Sequence, residues 1–330
     1  MGFGYCAVVM RTRAAGTHAG VDALSSPLMV TFLDGKFVPD EQATVSVRSR
    51  ALNYGLGYFG GIRAYLADDG KQLNVFRLDA HARRLERSAK ILYLPLPGGR
   101  EALCANVLEL LRRNDMHQDA YVRPMVISGA PELAPVLREE DARLIIWCMP
   151  LKRYIDKDSI DVCVSSWRRT SDNAIPSRTK PIGGYLNSAL ARREAKDNGF
   201  DEAIFLTEAG MVSEGSAEHV FLVRDGVLVS PPSTADNLDG ITRRSIIAMA
   251  TEDLGMRFVE RPIGRTELYV ADEMFLCGTG AQVTPVRSVD RRTVGAGEVG
   301  PTTRKIHEHF QDVVHARVEK RLDWLTPVWT

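Results

Sequence analysis

Residues 178–187 read Arg-Thr-Lys-Pro-Ile-Gly-Gly-Tyr-Leu-Asn. Lys180 stands just ahead of the paired glycines Gly183 and Gly184, and a helix is predicted from Leu186 to Asn198. A lysine amine can form an imine with an aldehyde cofactor, and paired glycines let the backbone approach such a group closely. Most loop lysines are simply solvated. The significance of Lys180 therefore depends on the residues that accompany it.

The elements around this run mix helices with strands. Gly199 is suited to end the helix, and a strand is predicted at Glu202–Leu206. Hairpins are predicted at Asp34-Gly35 and Asp225-Gly226, because both residues of a tight primed turn need positive φ. Further helices are predicted from an N-cap at Asp79 to about Ile91, with Ala82, Leu85 and Ala89 on one face, and at Glu101–Arg113, Thr242–Leu254 and about Thr303–Lys320. Further strands are predicted at Leu73–Phe76, Ala120–Ser128, Ala142–Cys148 and Ile160–Ser165.

This order of elements indicates a fold of two domains. Strands and helices do not alternate strictly, which favours an α+β or α/β arrangement over one doubly wound sheet. A length of 330 residues also favours two domains. We expect residues 1–27 to be a loosely ordered leader, 28–148 a smaller N-terminal α/β domain, 149–159 an interdomain linker, and 160–330 a larger C-terminal domain that carries Lys180.

Composition excludes several classes of function. The 42 basic and 42 acidic residues cancel, so the chain has no overall charge with which to attract nucleic acid or an anionic membrane. Five cysteines without a C-x-x-C pair, and seven histidines without ligand spacing, argue against a disulfide framework or a metal site. The apolar start is too short to span a bilayer. We expect a cytoplasmic protein with no metal, nucleic-acid or membrane partner.

One motif is rejected. Gly55-Leu56-Gly57-Tyr58-Phe59-Gly60 has the spacing of a dinucleotide-binding fingerprint, but that fingerprint must follow a buried strand and open a helix. The segment before Gly55 does not read as such a strand, and Gly60-Gly61-Ile62 is a poor helix start. The spacing alone therefore does not indicate a dehydrogenase.

Several blocks occur in one order along the chain and carry a family resemblance. They include Leu52-Asn53-Tyr54-Gly55, Arg84-Leu85, Tyr121-Val122-Arg123-Pro124, Lys180, Ser213-Glu214-Gly215 with Glu218, Gly240-Ile241-Thr242-Arg243 and Gly278-Thr279. From about Val30 to Trp324 the chain resembles the branched-chain amino acid aminotransferases, within the class IV (fold type IV) enzymes that use pyridoxal 5'-phosphate. The resemblance implies the two-domain fold of that class, which also contains D-amino-acid aminotransferase.

The resemblance assigns a set of residues to the cofactor. Lys180 would carry pyridoxal 5'-phosphate covalently and act as general base and acid. Glu214 would keep the ring nitrogen protonated through its opposite charge, and Tyr185 would contact the phenolic oxygen. The phosphate would be bound by Arg84, Ile241, Thr242 and Thr279, where backbone donors at a helix start favour an anion.

The resemblance also assigns the substrate site. Tyr121 and Arg123 lie two apart on a predicted strand, so their side chains share a face. The tyrosine, with the backbone of Thr279 and Gly280, would hold the α-carboxylate, and the arginine would take the distal carboxylate of glutamate. Tyr54, Phe59 and Tyr154 would line an apolar pocket. This set implies transamination of L-leucine, L-isoleucine or L-valine with 2-oxoglutarate, as a branched-chain-amino-acid transaminase.

Four departures from the family pattern affect the pocket. Gly60 replaces a common acidic residue, Leu151 an aromatic one and Gly184 a frequent asparagine, and the 130–136 loop lacks the usual Gly-Met-Gly-Val-like sequence. In the family this loop closes the site of the partner subunit, so the resemblance implies a homodimer. Two alternatives remain open: a relative acting on D-amino acids, (R)-amines or aminodeoxychorismate (as a lyase), and a cofactor-free protein that has lost catalysis. Retention of Lys180 and Glu214 argues against the latter.

Overall fold

The computed structural model describes residues 29–329, so the predicted leader (1–27) lies outside the described residues. Seven strands from the N-terminal part build most of the first sheet: β1 (Val30–Leu33), β2 (Lys36–Pro39), β3 (Gly57–Phe59), β4 (Ile62–Leu66), β5 (Leu73–Phe76), β6 (Ala120–Ser128) and β7 (Ala142–Pro150). They pair antiparallel in the order β5-β4-β6-β7-β1-β2, and β3 pairs with β6. The long β6–β7 pair forms the centre of this sheet.

Helices cover the core of the first sheet. They are α1 (Arg50–Tyr54), α2 (Leu78–Leu92) and α3 (Gly99–Arg113). Helix α2 buries Ala82, Leu85 and Ala89, as its apolar spacing predicts, and they join one cluster with strand residues such as Val122 and Ile146. Burial of this apolar stripe holds α2 on the sheet.

The prediction that Asp79 caps α2 is wrong. The helix begins at Leu78, and the capping position is Arg77, whose φ of 56° is left-handed and whose side chain makes no capping hydrogen bond. The Arg77 amide donates to the Trp324 carbonyl at 2.7 Å, which turns the chain into the helix two residues before Asp79. Asp79 lies in the first turn and accepts from Arg83 Nε at 2.8 Å, where its negative charge still favours the helix.

The second sheet is mixed. It contains β8 (Ile160–Arg168), β9 (Glu202–Leu206), β10 (Val212–Gly215), β11 (His219–Arg224), β12 (Val227–Ser230), β13 (Phe258–Glu260), β14 (Glu273–Gly278), β15 (Gln282–Val289) and β16 (Arg292–Thr293). The order is β10-β9-β8-β15-β14-β11-β12-β13, with parallel pairs at β8–β9, β8–β15 and β12–β13. Its helices are α4 (Tyr185–Asp197), α5 (Ile241–Ala248) and α6 (Pro301–Val314). Two sheets with helices confirm the α+β expectation.

Two helix ends differ from the prediction. The α-helix that begins at Ile241 ends at Ala248 and continues to Asp253 as a π-helical turn, rather than running as one helix to Leu254. Helix α6 ends at Val314, six residues before Lys320. There Ala316 adopts φ 65°, and the His315 ring is hydrogen-bonded to the Leu66 carbonyl at 2.8 Å. A contact with the first sheet thus stops this helix where its own periodicity does not.

The two predicted hairpins are confirmed. Asp34 and Gly35 have φ of 47° and 86°, and Asp225 and Gly226 have φ of 49° and 72°. Both turns therefore use two left-handed residues, the arrangement that matches the twist of the paired strands.

The chain returns to the first sheet at its last strand, β17 (Leu325–Pro327), which pairs antiparallel with β5. The range 160–330 thus contributes one strand to the sheet formed otherwise by residues 30–150. Strand β7 extends to Pro150, and no helix or strand lies between Leu151 and Ser159 within the described chain. The Arg63 guanidinium donates to the carbonyls of Leu151 and Lys152 at 2.7 and 3.0 Å, fixing the start of this segment. A domain boundary at 149–159 stays a prediction.

The loop that carries Lys180 is hydrogen-bonded to the first sheet. The Phe59 amide donates to the Lys180 carbonyl at 3.2 Å, and the Ile182 and Gly183 amides donate to the Gly57 and Gly55 carbonyls at 2.9 and 3.1 Å. Residues 57–59 therefore form a strand that supports this loop, not the helix start that a dinucleotide fingerprint requires. Among the described residues no helix is long and apolar enough to cross a membrane.

We predict that Gly55→Ala destabilises the protein more than Gly70→Ala does. Both glycines have left-handed φ, at 69° and 66°, so each substitution costs about 1–2 kcal/mol of backbone strain. A Cβ at Gly55 would lie 2.8 Å from Gly183 Cα, whereas a Cβ at Gly70 has open space. Overpacking against the lysine loop should cost roughly another 1–3 kcal/mol. Urea unfolding of both variants measures the difference, and equal losses would contradict the proposed close packing.

Candidate active site

Lys180 projects into a cavity from a strained backbone position. A short 3-10 turn, Ser177–Thr179, precedes it, and its own φ is 52°, which is uncommon for a residue with a side chain. Its Nζ lies 5.3 Å from the ring centroids of both Phe59 and Tyr185. Burial, and then the nearby Arg84 cation, lower the pKa of Lys180 to about 8. This lysine is not the solvated loop residue that its sequence position alone suggests.

The cavity has a volume of about 630 Å³, which is enough for a cofactor-sized ligand. It brings together most of the residues predicted for the site: Phe59, Arg84, Tyr121, Arg123, Tyr154, Lys180, Tyr185, Ile241, Thr242, Thr279 and Gly280. Glu214 lines an adjoining recess that shares Lys180, Tyr185 and His219 with the cavity. Tyr54 is outside this lining, and its hydroxyl instead accepts from the Ala134 amide at 3.3 Å.

Glu214 is a buried carboxylate with defined partners. It lies on β10, and its Oε1 is 2.8 Å from Arg169 Nη2. Its Oε2 accepts from the Leu238 amide at 3.2 Å and lies 3.4 Å from His219 Nδ1. Burial raises the pKa of Glu214, and the Arg169 cation opposes that shift. Arg169 and His219 were not predicted from the sequence, because only the fold brings the loop after β8 and the start of β11 next to Glu214.

A buried cation lies beside the start of α5. Arg84 is 6% exposed, its Nη1 donates to the Asp239 carbonyl at 3.4 Å, and it has no carboxylate partner among residues 29–329. Burial lowers the pKa of Arg84 to about 10, which reflects the cost of a cation held out of water. The first amides of α5, at Ile241 and Thr242, have no partner within their helix. Cation and amides together fit a phosphate.

Arg123 is held by aromatic groups. Its Nε and Nη2 donate to the Tyr121 hydroxyl at 2.9 and 2.6 Å, which confirms that the two side chains share a face of β6. The guanidinium lies 4.4 Å from the Phe59 ring centroid and 5.5 Å from that of Trp147. No carboxylate pairs with it in the part of the chain that the structure describes. The guanidinium therefore rests on a hydroxyl and on aromatic faces.

Trp147 is a cavity residue that the sequence analysis missed. It lies on β7 directly opposite Arg123 on β6, which is the cross-strand position expected to touch it. Its signal in the sequence was available: in the alternating pattern of Ala142–Pro150 it falls on the face that is opposite to the buried Ile146 and Cys148. An aromatic residue at that position packs on the Arg123 guanidinium.

The side of the cavity near Tyr154 holds a second charged group of residues. The Tyr154 hydroxyl accepts from Arg192 Nη1 at 2.8 Å, and that nitrogen lies 3.6 Å from Glu202 Oε2. Burial, and then the Glu202 carboxylate, raise the pKa of Glu218, which lines the cavity. A Cβ on Gly280 would lie 3.4 Å from Tyr154, so these two residues pack against each other. Arg192 was not predicted from the sequence.

The departures from the family pattern occupy different places. Leu151 lines the cavity, so the lost aromatic residue alters its wall. A Cβ on Gly60 would point at Pro124 on β6 and Leu85 on α2, 3.0 and 3.4 Å away, and not at the cavity. Among the described residues no group of three or more histidine, cysteine, aspartate or glutamate side chains could hold a metal ion.

Comparison with known proteins agrees with this geometry. The model of the family "Amino-transferase class IV" matches residues 57–289. A probable branched-chain-amino-acid aminotransferase of Aquifex aeolicus is 40% identical over 299 residues, covering 90% of this chain and 96% of its own.

Two solved structures are similar over nearly their whole length. The branched-chain aminotransferase of Thermoproteus uzoniensis with norvaline superposes with a TM-score of 0.87 at 43% identity, covering 91% of this chain and 99% of its own. The branched-chain amino acid aminotransferase of Thermobaculum terrenum in its PLP form gives 0.87 at 36%, covering 92% and 100%. The two-domain fold expected from the resemblance is thereby confirmed. The chain belongs to the class IV aminotransferase family and, within it, to the branched-chain amino acid aminotransferases.

Proposed function

We propose that the protein uses pyridoxal 5'-phosphate to transfer the amino group of L-leucine, L-isoleucine or L-valine to 2-oxoglutarate. The observation that carries the proposal is that one cavity, with five aromatic side chains in its wall, holds both a half-buried lysine and an arginine that has no carboxylate partner among the described residues. An apolar wall suits a branched side chain, and the arginine suits the distal carboxylate of glutamate. Relatives with this name, one solved with norvaline and one in its PLP form, support the assignment.

The residues of the cavity fit this cofactor. Arg84 with the first amides of α5, at Ile241 and Thr242, would hold its phosphate, aided by the hydroxyl of Thr279. Glu214 would hold the ring nitrogen, Tyr185 the phenolic oxygen and Lys180 the aldehyde. When bound, the cofactor supplies the carbonyl that takes up the amino group and a ring that delocalises the electron pair left on the substrate α-carbon.

Lys180 is suited to move the proton of that α-carbon. A pKa of about 8 leaves a substantial neutral fraction of its amine near neutral pH, so it can accept a proton and later return it. The aromatic rings of Phe59 and Tyr185 flank its Nζ and limit access of water to it. Tyr121, with Thr279 and Gly280, would bind the α-carboxylate and fix the α-carbon relative to this amine.

One site can accept both a branched-chain amino acid and glutamate because the Arg123 guanidinium is held only by neutral groups. The Tyr121 hydroxyl and the Phe59 ring hold the guanidinium without neutralising it. A distal carboxylate can then bind without displacing a competing anion, whereas an aliphatic side chain can rest on the aromatic wall. Phe59 and Tyr154 supply part of this wall, and Leu151 adds to it.

We also propose that the protein works as a homodimer in the cytoplasm. An exposed apolar patch joins α1 to the 130–136 loop and includes Val47, Leu52, Leu133 and Val136, of which Leu133 is 86% exposed. The Arg50 amide donates to the Ala130 carbonyl at 3.2 Å, so the two segments form one surface. Exposed apolar patches of this kind mark protein interfaces. Tyr54, predicted for the substrate site, lies on this patch and would reach a site only across such an interface.

The alternatives within the class are less well supported. A transaminase for D-amino acids or (R)-amines, or aminodeoxychorismate lyase, would also use Lys180 and Glu214. The paired Tyr121 and Arg123, and relatives named as branched-chain aminotransferases, favour the L-amino-acid reaction. A protein without catalysis would have no use for a half-buried lysine with a lowered pKa in a cavity.

A panel of amino donors with 2-oxoglutarate as acceptor tests the function. We expect turnover of L-leucine, L-isoleucine and L-valine, and none of D-alanine or (R)-1-phenylethylamine. Arg123→Leu should raise KM for 2-oxoglutarate roughly 10-fold to 100-fold, as expected for loss of a charged hydrogen bond, and should change the single-turnover half-reaction with L-leucine far less. Activity confined to the D- or (R)-donors would contradict the proposal.

The low pKa of Lys180 gives a pH prediction for the apoprotein. A lysine reacts as the neutral amine, so its reactivity rises as pH passes its pKa, about 8 here and not the ordinary 10.5. Competitive acetylation followed by peptide mass spectrometry should therefore give a midpoint near pH 8 at Lys180. Arg84→Gln removes a neighbouring cation and should move that midpoint upward. A wild-type midpoint above about pH 10 would show that the surroundings of Lys180 do not lower its pKa, and would contradict this prediction.

The dimer is tested by sedimentation velocity. We expect the wild type to sediment as a dimer and Leu52→Asp/Leu133→Asp to sediment largely as a monomer, because each subunit would bury two charges in an apolar interface. Tyr93→Asp is the matched control, since Tyr93 is also exposed, at 69%, but lies at the end of α2. A fully active monomeric wild type would exclude the proposed assembly.

A further inference from the structure

His219 is a buried residue of the site that the mechanism above does not use. It is the first residue of β11, is 6% exposed, and places Nδ1 3.4 Å from Oε2 of Glu214. That nitrogen has no hydrogen-bond partner within residues 29–329. Burying a polar atom without a partner costs free energy, so the position of this ring calls for a physical reason.

The ring is confined on its other edge by Gly240. A Cβ built on Gly240 would lie 2.0 Å from His219 Nε2 and 2.5 Å from its Cδ2. The φ of Gly240 is −75°, a value that any residue can adopt, so steric space and not backbone conformation requires glycine there. The imidazole thus fills the place of a side chain at position 240 and is kept against Glu214.

The charge state of the ring follows from its surroundings. Burial, and then the Arg243 and Lys180 cations, lower the pKa of His219 well below its ordinary value, so the ring is neutral and carries a single N–H. If that hydrogen were on Nε2, the Nδ1 lone pair would face a carboxylate oxygen. Placing the hydrogen on Nδ1 replaces this repulsion with an attraction.

Glu214 needs donors because it is buried. Arg169 serves Oε1 and the Leu238 amide serves Oε2, and a carboxylate oxygen has room for a second donor. We propose that His219 is a positioning residue that donates its Nδ1–H to Oε2 of Glu214 and keeps this carboxylate charged and aimed at the ring nitrogen of the cofactor. The inference rests on the proposed function, in which Glu214 holds that nitrogen.

The distance of 3.4 Å between His219 Nδ1 and Glu214 Oε2 is long for a hydrogen bond. We expect it to shorten when the protonated ring nitrogen of the cofactor binds Glu214 and stabilises its ionised form. Hydrogen bonds of catalytic groups are often long before ligand binds and tighten in the complex. His219 would then act on the reaction through Glu214, without contact with the reacting atoms. Its effect should be visible in the protonation of the cofactor ring.

Two variants of similar size separate donation from packing. His219→Asn places an amide nitrogen where Nδ1 stands, and His219→Leu places a methyl group there. Titration of each apoprotein with pyridoxal 5'-phosphate measures affinity, and the ¹⁵N chemical shift of ring-labelled cofactor measures protonation of the ring nitrogen. We expect His219→Leu to bind the cofactor roughly tenfold more weakly, with the shift moved toward the deprotonated ring. His219→Asn should resemble the wild type in both.

Equal behaviour of the two variants would overturn the proposal, whether both bind tightly or both weakly, because the donor would then make no difference. The ¹⁵N spectrum of labelled wild-type apoprotein provides a measurement that no folding defect can affect. It should show His219 protonated on Nδ1, and the Nε2–H form would also overturn the proposal. Failure of the wild type to bind pyridoxal 5'-phosphate would instead refute the proposed function, so the two failures are distinguishable.

Discussion

The backbone hydrogen bonds between residues 55–59 and 180–183 are the constraint on which the site depends. They fix a lysine from the C-terminal half of the chain against the edge of the first sheet, with its carbonyl accepting from Phe59. Because a Cβ on Gly55 would lie 2.8 Å from Gly183 Cα, the loop can come this close only where position 55 lacks a side chain. The left-handed backbone of Lys180 is maintained by this ladder, which outweighs the local preference of the residue. Phe59, fixed by the same bonds, carries the aromatic face on which Arg123 rests.

A second feature is the free-energy cost of holding unpaired charged groups in the cavity. Arg84, Arg123 and Lys180 are cations or potential cations with no carboxylate partner among the described residues, and burial lowers the pKa of both Arg84 and Lys180. Each such group destabilises the free protein and is relieved when an anion or a covalent partner arrives. Glu214 is the reverse case, a buried anion whose pKa is raised although it has donors. Binding of cofactor and substrate removes this desolvation cost, and so these buried charges favour binding.

Sequence reasoning located most of the cavity because motif residues keep their spacing on regular elements. Tyr121 and Arg123 share a face of β6 for the simple reason that side chains alternate along a strand. The predicted helix ends were wrong where a contact distant in the sequence sets them. A hydrogen bond to the Trp324 carbonyl places the start of α2 before Asp79, and the contact of His315 with the Leu66 carbonyl ends α6. Trp147, Arg169 and Arg192 were missed because only pairing between strands or packing across the cavity brings them there. Alternation along β7 can assign Trp147 to a face of the strand, but no local pattern tells which residue lies across the sheet or across the cavity.

The pairing of β17 with β5 has a consequence for the order in which the parts of the first sheet fold. The Gln72 side chain exchanges hydrogen bonds with the backbone of Trp329, a partner 257 residues later in the chain. During synthesis β1 to β7 leave the ribosome long before β17 has been made. Until then β5 is an open edge of the sheet with unpaired backbone groups. Closing so long a loop is entropically slow, and it makes completion of the first sheet one of the last steps of folding. The nascent chain must therefore avoid association through the β5 edge until Leu325–Pro327 have left the ribosome.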